Sequence, residues 1–136
     1  PEGHADQAWK ICYEVETDGP GLFIRTHPNS KYYWADQTKH PEPEVQQAVQ
    51  VIDKETREIA KTLTVTEVEG QAAVHIEFNA DGSEVWVSAW NMKDSKEPNG
   101  EIVIYDANTL EEKTRIKGFY APTGKFNVTN RSDHVT

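Results

Sequence analysis

The chain says nearly the same thing twice, 53 residues apart. The segment Val49–Thr56, VQVIDKET, returns as Ile102–Thr109, IVIYDANT, so that Asp53 falls on Asp106 and Thr56 on Thr109. Upstream, Lys31–Asp36, KYYWAD, falls on Glu84–Ala89, EVWVSA, and this spacing overlays Tyr33 on Trp86. A repeat of this length built from short β-type runs marks a propeller or a stacked array rather than a two-layer domain. Two repeats do not close a ring. The segment is therefore expected to be a piece of something larger, or to assemble from several copies.

Punctuation by turn residues divides the chain accordingly. Leu22–Thr26, Lys31–Asp36, Ala48–Asp53 and Ile59–Val65 read as one group of four strands. Ala73–Phe78, Val85–Trp90, Ile102–Tyr105 and Lys113–Lys117 read as a second. Each group has short, long and short connections, the pattern of an antiparallel meander. Leftover strands are expected at Trp9–Val15 and Gly124–Val128, one at each end. The fold expected is all-β, a partial propeller with blade-like repeats at about 22–65 and 73–117. The Glu- and Gln-rich stretch from Pro43 to Val51 would suit a helix, but β-branched residues and turn chemistry argue for strand. Val85, Val87 and Ala89 alternate with Trp86, Ser88 and Trp90, as a mid-blade strand covered on both faces would.

Composition bounds the function. The net charge is −9 and no basic stripe occurs, which argues against a phosphate backbone as partner. No apolar run reaches 18 residues, so no membrane-spanning helix is expected. The single cysteine, Cys12, lies in the apolar stretch 9–15 and reads as a small buried hydrophobe. The chain opens on Pro1, as a processed or excised chain would. Acidic clusters at Glu14–Asp18 and Glu67–Glu69 read as solvated edges. There is no phosphate-binding glycine loop, zinc-spaced Cys/His set or nucleophile elbow. The five histidines, His4, His27, His40, His75 and His134, show no pair at ligand spacing, so no metal site is expected within one segment. His27, before Pro28, reads as a turn-capping residue. His75 lies on the innermost strand of its repeat, where its ring either satisfies a backbone group or faces the central channel.

Three ordered motifs, LFIRTHPNSKYYWAD (Leu22–Asp36), AVHIEFNADGSEVWVSAW (Ala73–Trp90) and APTGKFNV (Ala121–Val128), carry a resemblance. Over residues 9–128 the chain resembles the C-terminal end of the heme d1 domain of cytochrome cd1 nitrite reductase. The resemblance implies an eight-bladed propeller with non-covalent heme d1 in its channel, where nitrite is reduced by one electron to nitric oxide. It implies that Phe23 packs on the heme, that His75 contacts the heme region, and that Gly124 and Phe126 line the pocket. Aromatic walls suit a flat macrocycle, and a glycine lets backbone approach it. Heme c would belong to an upstream domain, since no CxxCH occurs here. The axial histidine and the active-site histidines of the family would also lie upstream, so no catalytic residue is assigned. Further implications are an electron-donor protein, a homodimer as the full-length protein, and a periplasmic location. Alone, residues 1–136 are expected to be marginally folded and inactive. Two alternatives remain: a related heme d1 biosynthesis or carrier propeller, and a non-catalytic propeller scaffold that binds proteins.

Overall fold

A computed structural model describes residues 5–122. Its elements are a short 3-10 turn at Ala5–Gln7, then β1 (Ile24–Thr26), β2 (Tyr32–Asp36), α1 (Pro43–Gln46), β3 (Ala48–Asp53), β4 (Ile59–Thr64), β5 (Ala72–Phe78), β6 (Glu84–Trp90), β7 (Gly100–Asp106) and β8 (Glu112–Phe119). The strands form two four-stranded antiparallel meanders, β1-β2-β3-β4 and β5-β6-β7-β8. The all-β architecture with two blades is thus present. The helical alternative shrinks to the single turn α1, which proline at its start initiates and the β-branched run of β3 ends.

The repeat is clearest at the third turn of each sheet. Asp53 Oδ1 accepts the backbone N–H groups of Glu55 and Thr56, at 2.8 and 3.1 Å. Asp106 Oδ1 accepts those of Asn108 and Thr109, both at 2.9 Å. Arg57 and Leu110, at equivalent positions, both take left-handed backbone, with φ of 63° and 62°. These bonds favour the ionised carboxylates and hold both below their ordinary value of 3.8. A folded pKa below the unfolded one stabilises above the unfolded value, and that stabilisation is lost as pH falls through the folded pKa. Asp53→Ala/Asp106→Ala should therefore lower the melting temperature at pH 7, and the gap to the parent should close on acidification below 3.8. A gap that stayed constant in thermal melts across that range would count against this account of the turns.

One overlay read from the sequence is corrected. Tyr33 stands opposite Ile52, the residue before Asp53, whereas Val85 stands opposite Tyr105, the residue before Asp106. Tyr33 is thus the counterpart of Val85, and Trp34 of Trp86. The turn closures agree: Lys54 N–H donates to the Lys31 carbonyl and Ala107 N–H to the Ser83 carbonyl. The second and third strands of the two repeats are offset by different amounts, because their connections differ by one residue. Such a slip exchanges the two faces of a strand.

The core lies between the sheets. Tyr32, Trp34, Val49, Val51 and Leu63 of the first pack against Ile76, Phe78, Val85, Val87, Val103 and Tyr105 of the second. Trp34 is fully buried and its ring centroid lies 5.6 Å from that of Tyr105. Burial pushes the Tyr105 phenol up to about 12, so it stays neutral. Given the register, the two sheets present opposite faces to this core. Trp86, the counterpart of Trp34, points the other way, away from the shared core, and is half-buried. The both-faces expectation for β6 holds for Val85, Val87 and Ala89, which are fully buried, and only partly for Trp86 and Trp90.

Three further expectations fail in whole or in part. Trp9–Val15 forms no strand: it joins neither ladder, and Trp9, Ile11 and Tyr13 are exposed. A strand is a pairing relation, and neither sheet edge accepts this segment. Cys12, within it, is consequently exposed rather than buried. The acidic stretch Glu14–Asp18 is not wholly solvated either. Asp18 is tied to the buried Gln50: its N–H donates to Gln50 Oε1 at 3.0 Å, and Gln50 Nε2 donates to its Oδ2 at 2.7 Å. The leftover strand expected at Gly124–Val128 lies outside the described residues.

Candidate functional site

The two sheets meet along their first strands. Arg25 on β1 pairs with Glu77 on β5 at 3.2 Å, and Thr38 Oγ1 donates to the Ala73 carbonyl at 2.8 Å. At the turn end, Asn29 Nδ2 donates to the Asp81 carbonyl at 2.9 Å. Gly82, with φ of +77°, sits against the His27 ring, where an added Cβ would stand 2.2 Å from Nδ1. His27 is buried, and its Nδ1 accepts the Asn29 N–H at 3.1 Å. Its ring also faces Phe78, with centroids 6.0 Å apart. His27 is the turn-capping residue the sequence suggested, and it is a joint between the sheets as well.

Phe23 and His75 come together on this edge. Their ring centroids are 4.2 Å apart, tilted by 52°, and both residues are half-buried. They hold equivalent positions. Ile24 pairs with Ala35 as Ile76 pairs with Val87, and Phe23 and His75 are the residues just before. His75 sits at a bulge between Val74 and Ile76, with φ of 59°. That conformation is uncommon outside glycine and re-aims a side chain. Non-glycine residues held this way cluster at ligand-binding sites. The pair offers an aromatic face and an imidazole side by side, suited to an apolar, planar ligand with polar substituents. Gly124 and Phe126, the other two expected site residues, lie outside the described residues.

A concavity of about 570 Å³ opens at the loop ends, lined by residues including Thr38, Pro41, Gln46, Gly70, Asn91 and Met92. Neither Phe23 nor His75 lines it. Among the described residues no group of three or more His, Cys, Asp or Glu side chains is arranged to hold a metal ion, and no helix is long and apolar enough to cross a membrane.

Sequence reading missed one residue of this edge. Asp36 closes the motif Leu22–Asp36, and an acid before a loop reads as solvated. It is buried, and its Oδ1 accepts the N–H groups of Leu22 at 2.7 Å and Phe23 at 3.3 Å. The available signal was Gly21, whose missing side chain leaves room for it.

Residues 1–131 match the family described as the cytochrome D1 heme domain. The chain is similar to dihydro-heme d1 dehydrogenase of Pseudomonas aeruginosa, with 40% identity over 92% of the chain and 23% of that protein. It is similar to nitrite reductase of Stutzerimonas stutzeri, with 38% identity over 97% of the chain and 25% of that protein. Protein NirF of the same species is 31% identical over 88% of the chain and 27% of its own length. Among solved structures, dihydro-heme d1 dehydrogenase NirN in complex with DHE superposes with a TM-score of 0.68 at 37% identity, covering 84% of this chain and 22% of that one. The chain spans about a quarter of the length of these relatives.

Proposed function

The chain belongs to the cytochrome D1 heme domain family, and from that premise we propose that it forms part of the wall of a heme d1 pocket, as C-terminal blades of a propeller in a nitrite reductase. The observation that carries this reading is the contact of Phe23 with His75 at equivalent positions of adjacent first strands. Heme d1 would supply the redox chemistry, one-electron reduction of nitrite to nitric oxide. The residues of this chain bind and orient. Phe23 packs on the ring face, and His75 can donate a hydrogen bond to a peripheral carbonyl or carboxylate. Gly124 and Phe126 are proposed to complete this part of the wall. The same reading has heme c and the axial and active-site histidines elsewhere in a longer, dimeric, periplasmic protein that receives electrons from a donor protein.

A second reading is oxidation of dihydro-heme d1 during cofactor synthesis. It is favoured by the 40% identity to dihydro-heme d1 dehydrogenase.

The test uses the full-length protein loaded with heme d1. Phe23→Ala should weaken heme d1 binding by roughly 1–3 kcal/mol, the scale of one large aromatic contact. Heme retention and visible spectrum identical to the parent would remove Phe23 from the pocket. Nitric oxide formation from nitrite and reductant selects the first reading; conversion of dihydro-heme d1 to heme d1 without nitrite turnover selects the second.

A further inference from the structure

Phe23 and His75 hold one position by two different devices. In the second sheet β5 carries that position inside a full ladder, and the bulge at His75 turns the side chain. In the first sheet β1 begins only at Ile24, so Phe23 stands ahead of the strand. What holds it there is Asp36. Its Oδ1 takes two consecutive backbone N–H groups, from Leu22 and Phe23, and its own N–H donates to the Phe23 carbonyl at 3.1 Å. Gly21 permits the approach: a Cβ there would lie 2.0 Å from the Asp36 carbonyl oxygen and 2.7 Å from Oδ1. A carboxylate accepting two adjacent N–H groups is a charge-assisted clamp on that stretch of backbone. Asp36 stands opposite Val49 as Ser88 stands opposite Ile102, so Ser88 is its counterpart. Ser88 is buried, and its Oγ makes no hydrogen bond among the described residues. The blade architecture therefore does not require a carboxylate at this place; the Phe23 segment does.

We propose that Asp36 is a positioning residue of the ligand-facing wall: its carboxylate clamps the Leu22–Phe23 backbone and thereby sets the Phe23 ring beside His75. The ligand half of this inference rests on the heme d1 reading above; the clamp itself does not.

Two variants of the full-length protein separate the possibilities. Asp36→Asn keeps an acceptor oxygen of the same reach. It loses no bond at Oδ2, which has no hydrogen-bond partner among the described residues. Asp36→Ser installs the side chain of the counterpart position and is too short to make the clamp. Without ligand, amide hydrogen exchange at Leu22 and Phe23 should rise by about tenfold or more in Asp36→Ser, as for loss of a hydrogen bond to a charged group, and rise less in Asp36→Asn, which keeps the acceptor and loses only its charge. With heme d1, Asp36→Ser should weaken binding about as much as Phe23→Ala and alter the visible spectrum. Adding Phe23→Ala to Asp36→Ser should bring little further loss, because one acts through the other. Unchanged exchange in Asp36→Ser overturns the clamp. Additive losses in the double variant, or parent-like heme binding in Asp36→Ser when Phe23→Ala is impaired, overturn its role at the wall. If Phe23→Ala itself leaves heme d1 binding unchanged, the pocket reading of Phe23 falls, and the exchange measurement alone still decides the clamp.

Discussion

Trp34→Ala is expected to remove about 3–5 kcal/mol of stability, the range for truncating a fully buried large aromatic. That is a large share of the roughly 5–15 kcal/mol that holds an ordinary domain folded. Trp34 is 0% exposed and packs on Tyr105 at the centre of the core between the sheets. Its Nε1 makes no hydrogen bond among the described residues, so the loss is one of packing and cavity formation. The matched control is Trp86→Ala. The two tryptophans are counterparts, but Trp86 lies on the face turned away from the core. Urea titration of the 136-residue chain should show the Trp34 variant unfolded or nearly so and the Trp86 variant much less affected. Equal losses would mean that the assignment of faces is wrong. In the proposed full-length propeller a further blade would cover Trp86, and the two variants should converge.

Gly21→Ala should be nearly as damaging, by a different route. An alanine Cβ would fall 2.0 Å from the Asp36 carbonyl oxygen and 2.9 Å from its carbonyl carbon, so one backbone segment must move. Overpacking of this kind typically costs about 1–3 kcal/mol, and the clash here is with backbone that cannot rotate aside. The displaced residues are those before β1, so heme d1 binding should fall together with stability. Gly118→Ala is the comparison. Its φ is +93°, but nothing lies within 4 Å of the added carbon, so only the conformational penalty of about 1 kcal/mol applies. Denaturant midpoints and heme d1 titration of both variants check the pair. A Gly21 variant no worse than the Gly118 variant would show that the 21–23 segment yields freely.

Much of this was legible because the repeat is written in turn chemistry. Asp53 and Asp106 each accept two N–H groups from the residues that follow them, a local act that the sequence specifies without help from the rest of the fold. The strands between such turns follow from β-branched and aromatic residues at alternating positions. Register was less legible. Pairing Tyr33 with Trp86 is wrong by one residue, and nothing in two aromatic-rich runs reveals the difference in connection length that causes it. Trp9–Val15 has strand composition but no ladder, because composition does not supply a neighbour. At the candidate site, Phe23 and His75 were picked out from the sequence, and the structure puts them in contact. Asp36 was not, because a buried carboxylate and a solvated one look alike until the backbone groups that approach it are known.

The use of opposite faces by the two sheets has a consequence for symmetry. The pair is polar: one end presents the face carrying Tyr33, the other the face carrying Trp86. Contacts that reproduce the observed core join unlike ends, so they are heterologous and propagate by rotation in one sense about an axis. A two-fold dimer needs an interface in which one patch meets its own copy. The stacking surface that builds the blades into a series cannot also supply that two-fold contact. In a dimeric parent protein the contact would fall to the loop ends or the outer strands β4 and β8.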